Sequence, residues 1–227
     1  MSKEHFITDR AITSKELAKF ATIGEPVHFQ NCTLVGVDFH ELEVTEWTFK
    51  KCDLRGARLD NCILDETDFI ECRATEATFR SARLSQAQFK NCELSNAHFT
   101  FSKLADVSFG GCKMIGANMT DMAIAYMSLS ECNLGLAQLR GLEMKDTTLN
   151  SVNFDQADLS NATFENAYLE ECSLRESIVT DANFQGADLR SSDLGGLQMS
   201  DARRFKGAII SKSQAADLLG QLGLKVV

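Results

Sequence analysis

Ala157-Asp158-Leu159-Ser160-Asn161, Ala162-Thr163-Phe164-Glu165-Asn166 and Ala167-Tyr168-Leu169-Glu170-Glu171 are three consecutive blocks of five with one design. A small residue opens each block, a large apolar residue stands third, and polar residues close it. Extending that third position in both directions gives a column at every fifth residue, from Phe29 through Leu34, Phe39 and Val44 to Leu194 and Met199. Every residue in the column is apolar, although apolar residues make up only 44% of the chain. The column two residues earlier is mostly Ala, Cys, Ser or Thr.

A period of five fits neither regular element. Five residues advance about 500° on an α-helix, so the column would wander over every face. On a flat strand an odd step sends successive residues to opposite faces. Both columns stay inside only if the chain turns a corner every five residues and keeps winding. Each coil then buries the next, as in a solenoid. Phe29, Phe49, Phe69, Phe89 and Phe109 recur at twenty, as a one-sided aromatic stack would. The single Pro among 227 residues fits a chain with few long loops.

Ala157-Asp158-Leu159, Ala182-Asn183-Phe184, Ala187-Asp188-Leu189 and Thr67-Asp68-Phe69 resemble the motif of the pentapeptide-repeat family. The resemblance covers about three quarters of the chain. It implies an all-β fold, a right-handed quadrilateral β-helix with four pentapeptides per coil. The expected size is about nine coils over residues 27–203. At about 4.8 Å per strand the rod is about 42 Å long.

All eight cysteines fall in the small inward column, where a free Cys acts as a small buried hydrophobe. No metal or disulfide role is expected. His5, His28, His40 and His98 share no spacing with a nucleophile or ligand set. No glycine-rich phosphate loop or nucleophile elbow occurs. The reading is therefore of a protein without catalytic residues, metal or cofactor. The net charge of −9 argues against direct nucleic-acid binding, which needs a basic surface. No apolar run long enough to cross a membrane and no signal peptide are seen, so a cytoplasmic location is expected.

The ends differ from the repeat. In residues 1–26, Thr13-Ser14-Lys15-Glu16 is a capping box, and Ile12 with Leu17 suits a hydrophobic staple. A short helix there, closed by Gly24 and Pro26, is expected to cap the open edge of the first coil or serve as a partner-binding arm. In residues 204–227 the register fails at Arg204. Ser211 to Gln214 then signals a second helix, with Leu218, Leu219 and Leu222 on one side and Leu224 and Val226 in an apolar tail. That is more apolar surface than a cap needs, which predicts a homodimer contact through these five residues; a simple cap is the alternative.

This terminus, with Phe205-Lys206-Gly207-Ala208, Gln214-Ala215 and Leu218-Leu219, is similar to that of the Qnr and MfpA subgroup. The resemblance implies a dimeric protector of DNA gyrase or topoisomerase IV against quinolones or peptide toxins, here without the protruding loops some members carry. Charge supports the comparison. Residues 114–200 sum to −9 against −3 for residues 27–113, so the acidity gathers beside the expected seam. The candidate partner-binding acids are Asp146, Asp155, Glu165, Glu170, Glu171, Glu176, Asp181 and Asp201. They would let the rod occupy a basic DNA-binding saddle. The alternative is a scaffold with a different protein partner. Asp158, Asp188 and Asp193 occupy the Asp/Asn slot and are expected to brace corners. Between Phe109 and Phe154 the core column lacks Phe, and Met122, Met127 and Leu142 enlarge the small column. These coils should loosen or bend.

Overall fold

The computed structural model describes residues 5–197, 199–221 and 223–226. Its main sheet has nine parallel strands stacked in chain order. They are β1 (His5–Thr8), β2 (Val27–Gln30), β3 (Thr48–Lys50), β4 (Asp68–Ile70), β5 (Gln88–Lys90), β6 (Lys103–Gly110), β7 (Ala123–Ser130), β8 (Thr148–Asn150) and β9 (Tyr168–Glu170). From β2 onward each partner lies twenty residues away, as in Phe29↔Phe49 and Phe49↔Phe69. Isolated bridges such as Thr33↔Asp53, Asp38↔Arg58 and Glu43↔Ile63 form three more ladders at the same spacing. Four ladders five residues apart make a four-sided parallel β-helix.

The corners explain why the period is five. Every fifth residue from Asn31 to Gly186 has a positive φ, between 50° and 72°. This is the left-handed conformation, which turns the chain and favours Gly, Asn and Asp. With a corner at each such residue, both the large and the small columns point inward. The Phe column at twenty forms a stack, with Phe69–Phe89 and Phe89–Phe109 centroids 4.7 and 4.8 Å apart and nearly parallel. Phe79 and Phe99 form a second stack at 4.7 Å and meet the first edge-on.

Eight complete twenty-residue coils separate Phe29 from Leu189, fewer than the nearly nine expected. The shortfall is at the end. A 3-10 helix, Met199–Phe205, adds one residue to the last turn, so Phe205 instead of Arg204 stacks on Phe184. The bridge Asp188↔Ile209 shows the same slip.

Residues 5–26 are not simply a lid. β1 pairs in parallel with β2, His5↔Val27 to Thr8↔Gln30, so the segment forms a 22-residue turn of the solenoid. Helix α1 (Ser14–Ala21) is built into that turn, and its capping box is formed by Thr13 and Glu16. Ile12 and Leu17 are buried, as the staple requires. The sequence signal for this turn, Ile7, Ile12 and Leu17 at spacing five, lay outside the main register.

Helix α2 (Lys212–Gly220) starts from the capping box between Ser211 and Gln214. Gln214 Nε2 donates to the Leu189 and Ser192 carbonyls at 2.8 and 2.6 Å, and Gln221 Nε2 to the Leu197 carbonyl at 2.7 Å. Two glutamines thus satisfy the Ser192 and Leu197 carbonyls at the open edge of the last turn and add a second donor to the Leu189 carbonyl, which the Ser192 amide already reaches.

Candidate acidic surface

The eight candidate acids do not share one patch. Their positions in the twenty-residue coil place Asp146 and Glu165 on one side, Glu170 and Glu171 on the next, Asp155 and Glu176 on the third, and Asp181 and Asp201 on the fourth. The acids therefore encircle the C-terminal half of the rod. Asp146, Glu171, Glu176 and Asp181 stand on left-handed corner positions, where side chains project outward.

Their partners divide them further. Asp146 accepts from Asn166 Nδ2 at 3.0 Å, Glu170 from Asn150 at 3.1 Å, Glu171 from Ser151 at 3.3 Å and Glu176 from Gln156 at 2.8 Å. These donors are neutral and sit one coil away, so they order the carboxylate without cancelling its charge. Asp155 is held by Asn153 and the Ser173 hydroxyl. Glu165 pairs with Lys145 at 3.0 Å, and Asp201 with Arg204 at 2.8 Å; Asp181 lies 3.9 Å from the same Arg204. Sequence spacing could not reveal this division, because it depends on which residue the neighbouring coil presents.

The motif aspartates brace corners as expected. Asp158 accepts from the Ser160 amide at 3.0 Å, Asp188 from the Arg190 amide at 3.3 Å and Asp193 from the Gly195 amide at 2.8 Å. The hydrogen bonds from Arg190 hold the Asp188 carboxyl below its ordinary range.

All eight cysteines are buried and unpaired. Seven of them, all except Cys62, lie a multiple of twenty residues from Cys32 and so share one edge of the core. Their thiols point to carbonyls of the preceding coil, as in Cys72 to Phe49 at 3.1 Å. Burial pushes Cys62 up to about 12 and Cys172 to about 11, which keeps these thiols protonated.

Of the five candidate dimer residues, Leu218 and Leu219 are half-buried, and with Leu194, Leu197 and Phe205 they line an apolar cleft of about 350 Å3 between α2 and the last coil. Leu224 and Val226 are exposed. Leu222 lies outside the described residues.

A feature that sequence reasoning only partly anticipated lies mid-rod. Ordinary coils are joined on each side by rungs such as Val44 N–H to the Ile63 carbonyl, Glu46 N–H to the Asp65 carbonyl and Ile63 N–H to the Leu42 carbonyl. No backbone hydrogen bond joins residues 121–128 to residues 140–147. β7 meets β8 only at Ser130↔Asn150. A cleft of about 580 Å3 opens there, and Ile124, a core-column residue, is only half-buried. Large residues follow one another twenty apart in the small column here, Met122 and Leu142, whereas Leu42 and Trp47 in an intact coil are followed by the small Cys62 and Thr67. The loosening goes with two large residues in succession, as overpacking predicts.

The fold and its charged surface define a class: a solenoid rod that presents ordered side chains on four sides. The chain belongs to the pentapeptide-repeat family. Its pentapeptide-repeat-region model matches residues 23–85, 43–119 and 82–153, and the model of eight pentapeptide copies matches residues 167–203. No curated protein sequence is matched. Among solved structures, a trypsin-treated form of QnrB1, a plasmid-mediated fluoroquinolone resistance protein, is 27% identical with a TM-score of 0.66. It covers 86% of this chain and 97% of its own. A second trypsin-treated QnrB1 is 23% identical over 99% of this chain and 100% of its own, with a TM-score of 0.67. HetL, involved in heterocyst differentiation regulation in a Nostoc cyanobacterium, is 21% identical over 83% of this chain and 87% of its own, with a TM-score of 0.53.

Proposed function

We propose that this protein is a Qnr-like, non-catalytic binder of bacterial type II topoisomerases, DNA gyrase or topoisomerase IV, that protects them from quinolones or peptide toxins by taking the place of DNA. The observation that carries this reading is the ring of carboxylates on all four sides of the C-terminal half, most of them held by neutral donors. A duplex likewise presents negative charge on every side. Such a surface is attracted to a basic saddle over long range and then docks through ordered carboxylates. The likeness to QnrB1 at 27% identity supports the same reading. In this proposal the protein acts in the cytoplasm as a homodimer joined at its C-terminal ends, with exposed Leu224 and Val226 beside Leu218 and Leu219 at the seam. The ring would then lie along the centre of a double-length rod.

The test is DNA supercoiling by purified gyrase, with and without ciprofloxacin. The wild type is expected to alter the reaction or the drug response. A variant with Glu170, Glu171, Glu176 and Asp181 all changed to Lys is expected to lose the effect. A wild type without effect on gyrases from several bacteria would favour a scaffold with another partner. A fully active four-Lys variant would end the DNA-mimic mechanism.

A further inference from the structure

We propose that the cleft between the fifth and sixth coils is a docking slot for an extended, arginine- or lysine-bearing segment of a protein partner. Three observations meet there. The first is backbone: over residues 123–128, β7 is joined to β6 on one side but makes no backbone hydrogen bond to residues 140–147 on the other. An open strand edge within a groove is where an added strand gains main-chain hydrogen bonds. The second is apolar surface. Tyr126, 82% exposed, lines the cleft together with half-buried Ile124 and the short side chains of Ala125 and Ser128.

The third is charge. Asp106 and Glu143 line opposite lips of the cleft, and neither has a cationic partner among the described residues. Among the described residues the one cation lining it is Lys145, which is engaged by Glu165 at 3.0 Å. An aromatic ring between two uncompensated carboxylates complements a guanidinium or ammonium, through cation–π attraction and charge-assisted hydrogen bonds. An acidic or neutral strand would gain only the backbone bonds. This inference deepens the proposed function, since the topoisomerase would supply the segment; it rests on that reading for the identity of the partner alone.

The experiment is an NMR titration of the full chain with a blocked Arg-Val-Arg-Val peptide. Amide shifts are expected at residues 121–128 and 140–147, and a Glu-Val-Glu-Val peptide should leave them unmoved. The triple variant Asp106→Asn, Tyr126→Asn and Glu143→Gln should bind the peptide about tenfold more weakly, from loss of the cation–π and charged contacts. Asn suits the left-handed backbone of positions 106 and 126, so the fold should persist, and the wild-type shift map does not depend on the variant. Shifts confined to the ring of Glu170, Glu171 and Glu176, or unchanged affinity of the folded triple variant, would overturn the slot. Cleft-localised binding by a protein without effect on gyrase would uphold the slot and sink the proposed function.

Discussion

Residues 27–113 and 114–200 carry the same number of acidic residues, thirteen each, yet ten basic residues in the first and four in the second. The difference in surface comes from the missing cations, not from added acid. In the first half, rungs are ion pairs such as Arg58–Asp38 at 2.6 Å and Lys113–Glu93 at 2.8 Å. In the second, rungs such as Asn150–Glu170, Ser151–Glu171 and Gln156–Glu176 set a neutral donor against a carboxylate. The interiors differ in parallel. One Phe stack runs unbroken from Phe29 to Phe109, and the core column then holds Met, Leu and Ile until Phe154. One fold therefore supports a rigid, neutralised half and an acidic half that begins with an opened seam. Coil-to-coil stacking allows this, because each coil needs to match only its neighbours.

Truncating the aromatic stack should expose the contrast most strongly. Phe89→Ala is expected to cost about 3–5 kcal/mol, since Phe89 touches rings above, below and beside it. Ile124→Ala, at the half-buried lip of the cleft, should cost well under half as much. Equal losses in chemical denaturation would mean that the two interiors are packed alike. Hydrogen exchange gives the next largest effect. The amides of Ile124, Tyr126 and Glu143 should open with about 2 kcal/mol less protection than those of Val44, Glu46 and Ile63, because local opening follows missing hydrogen bonds. Matching protection factors would show that the seam is closed in solution.

The neutralised half carries its own pH signature. Asp53 is 7% exposed, and hydrogen bonds from Arg55 hold its carboxyl below the ordinary range, with Arg73 adding to the effect. A depressed folded value stabilises the protein above the unfolded value, near 3.9, and that contribution disappears as pH falls through the folded value. Asp53→Asn should therefore cost about 1–2 kcal/mol at pH 7 and much less in strong acid. A deficit that does not change with pH would assign the role of Asp53 to packing. The smallest effect concerns a corner. Leu136 is exposed with φ of 60°, so Leu136→Asn should stabilise by about 0.5 kcal/mol, read as a small rise in Tm.

The inward columns, the motif aspartates and both capping boxes were legible because each is a relation between residues at most five apart. The turn formed by His5–Thr8 was harder to see, since its register is offset by two residues and a helix interrupts it. The slip that puts Phe205 rather than Arg204 on Phe184 was hidden for the same reason.

The sequence by itself determined that the chain winds, which residues face inward and which half is acidic, because a strict period of five leaves no other way to bury both columns. Only the tertiary structure decided that the candidate acids encircle the rod and which of them keep their charge. It also decided that the parting falls between residues 121–128 and 140–147, where the sequence predicted only that the coils loosen or bend. These outcomes depend on the residue stacked twenty positions away, and contacts across that distance exist only once the coils are closed.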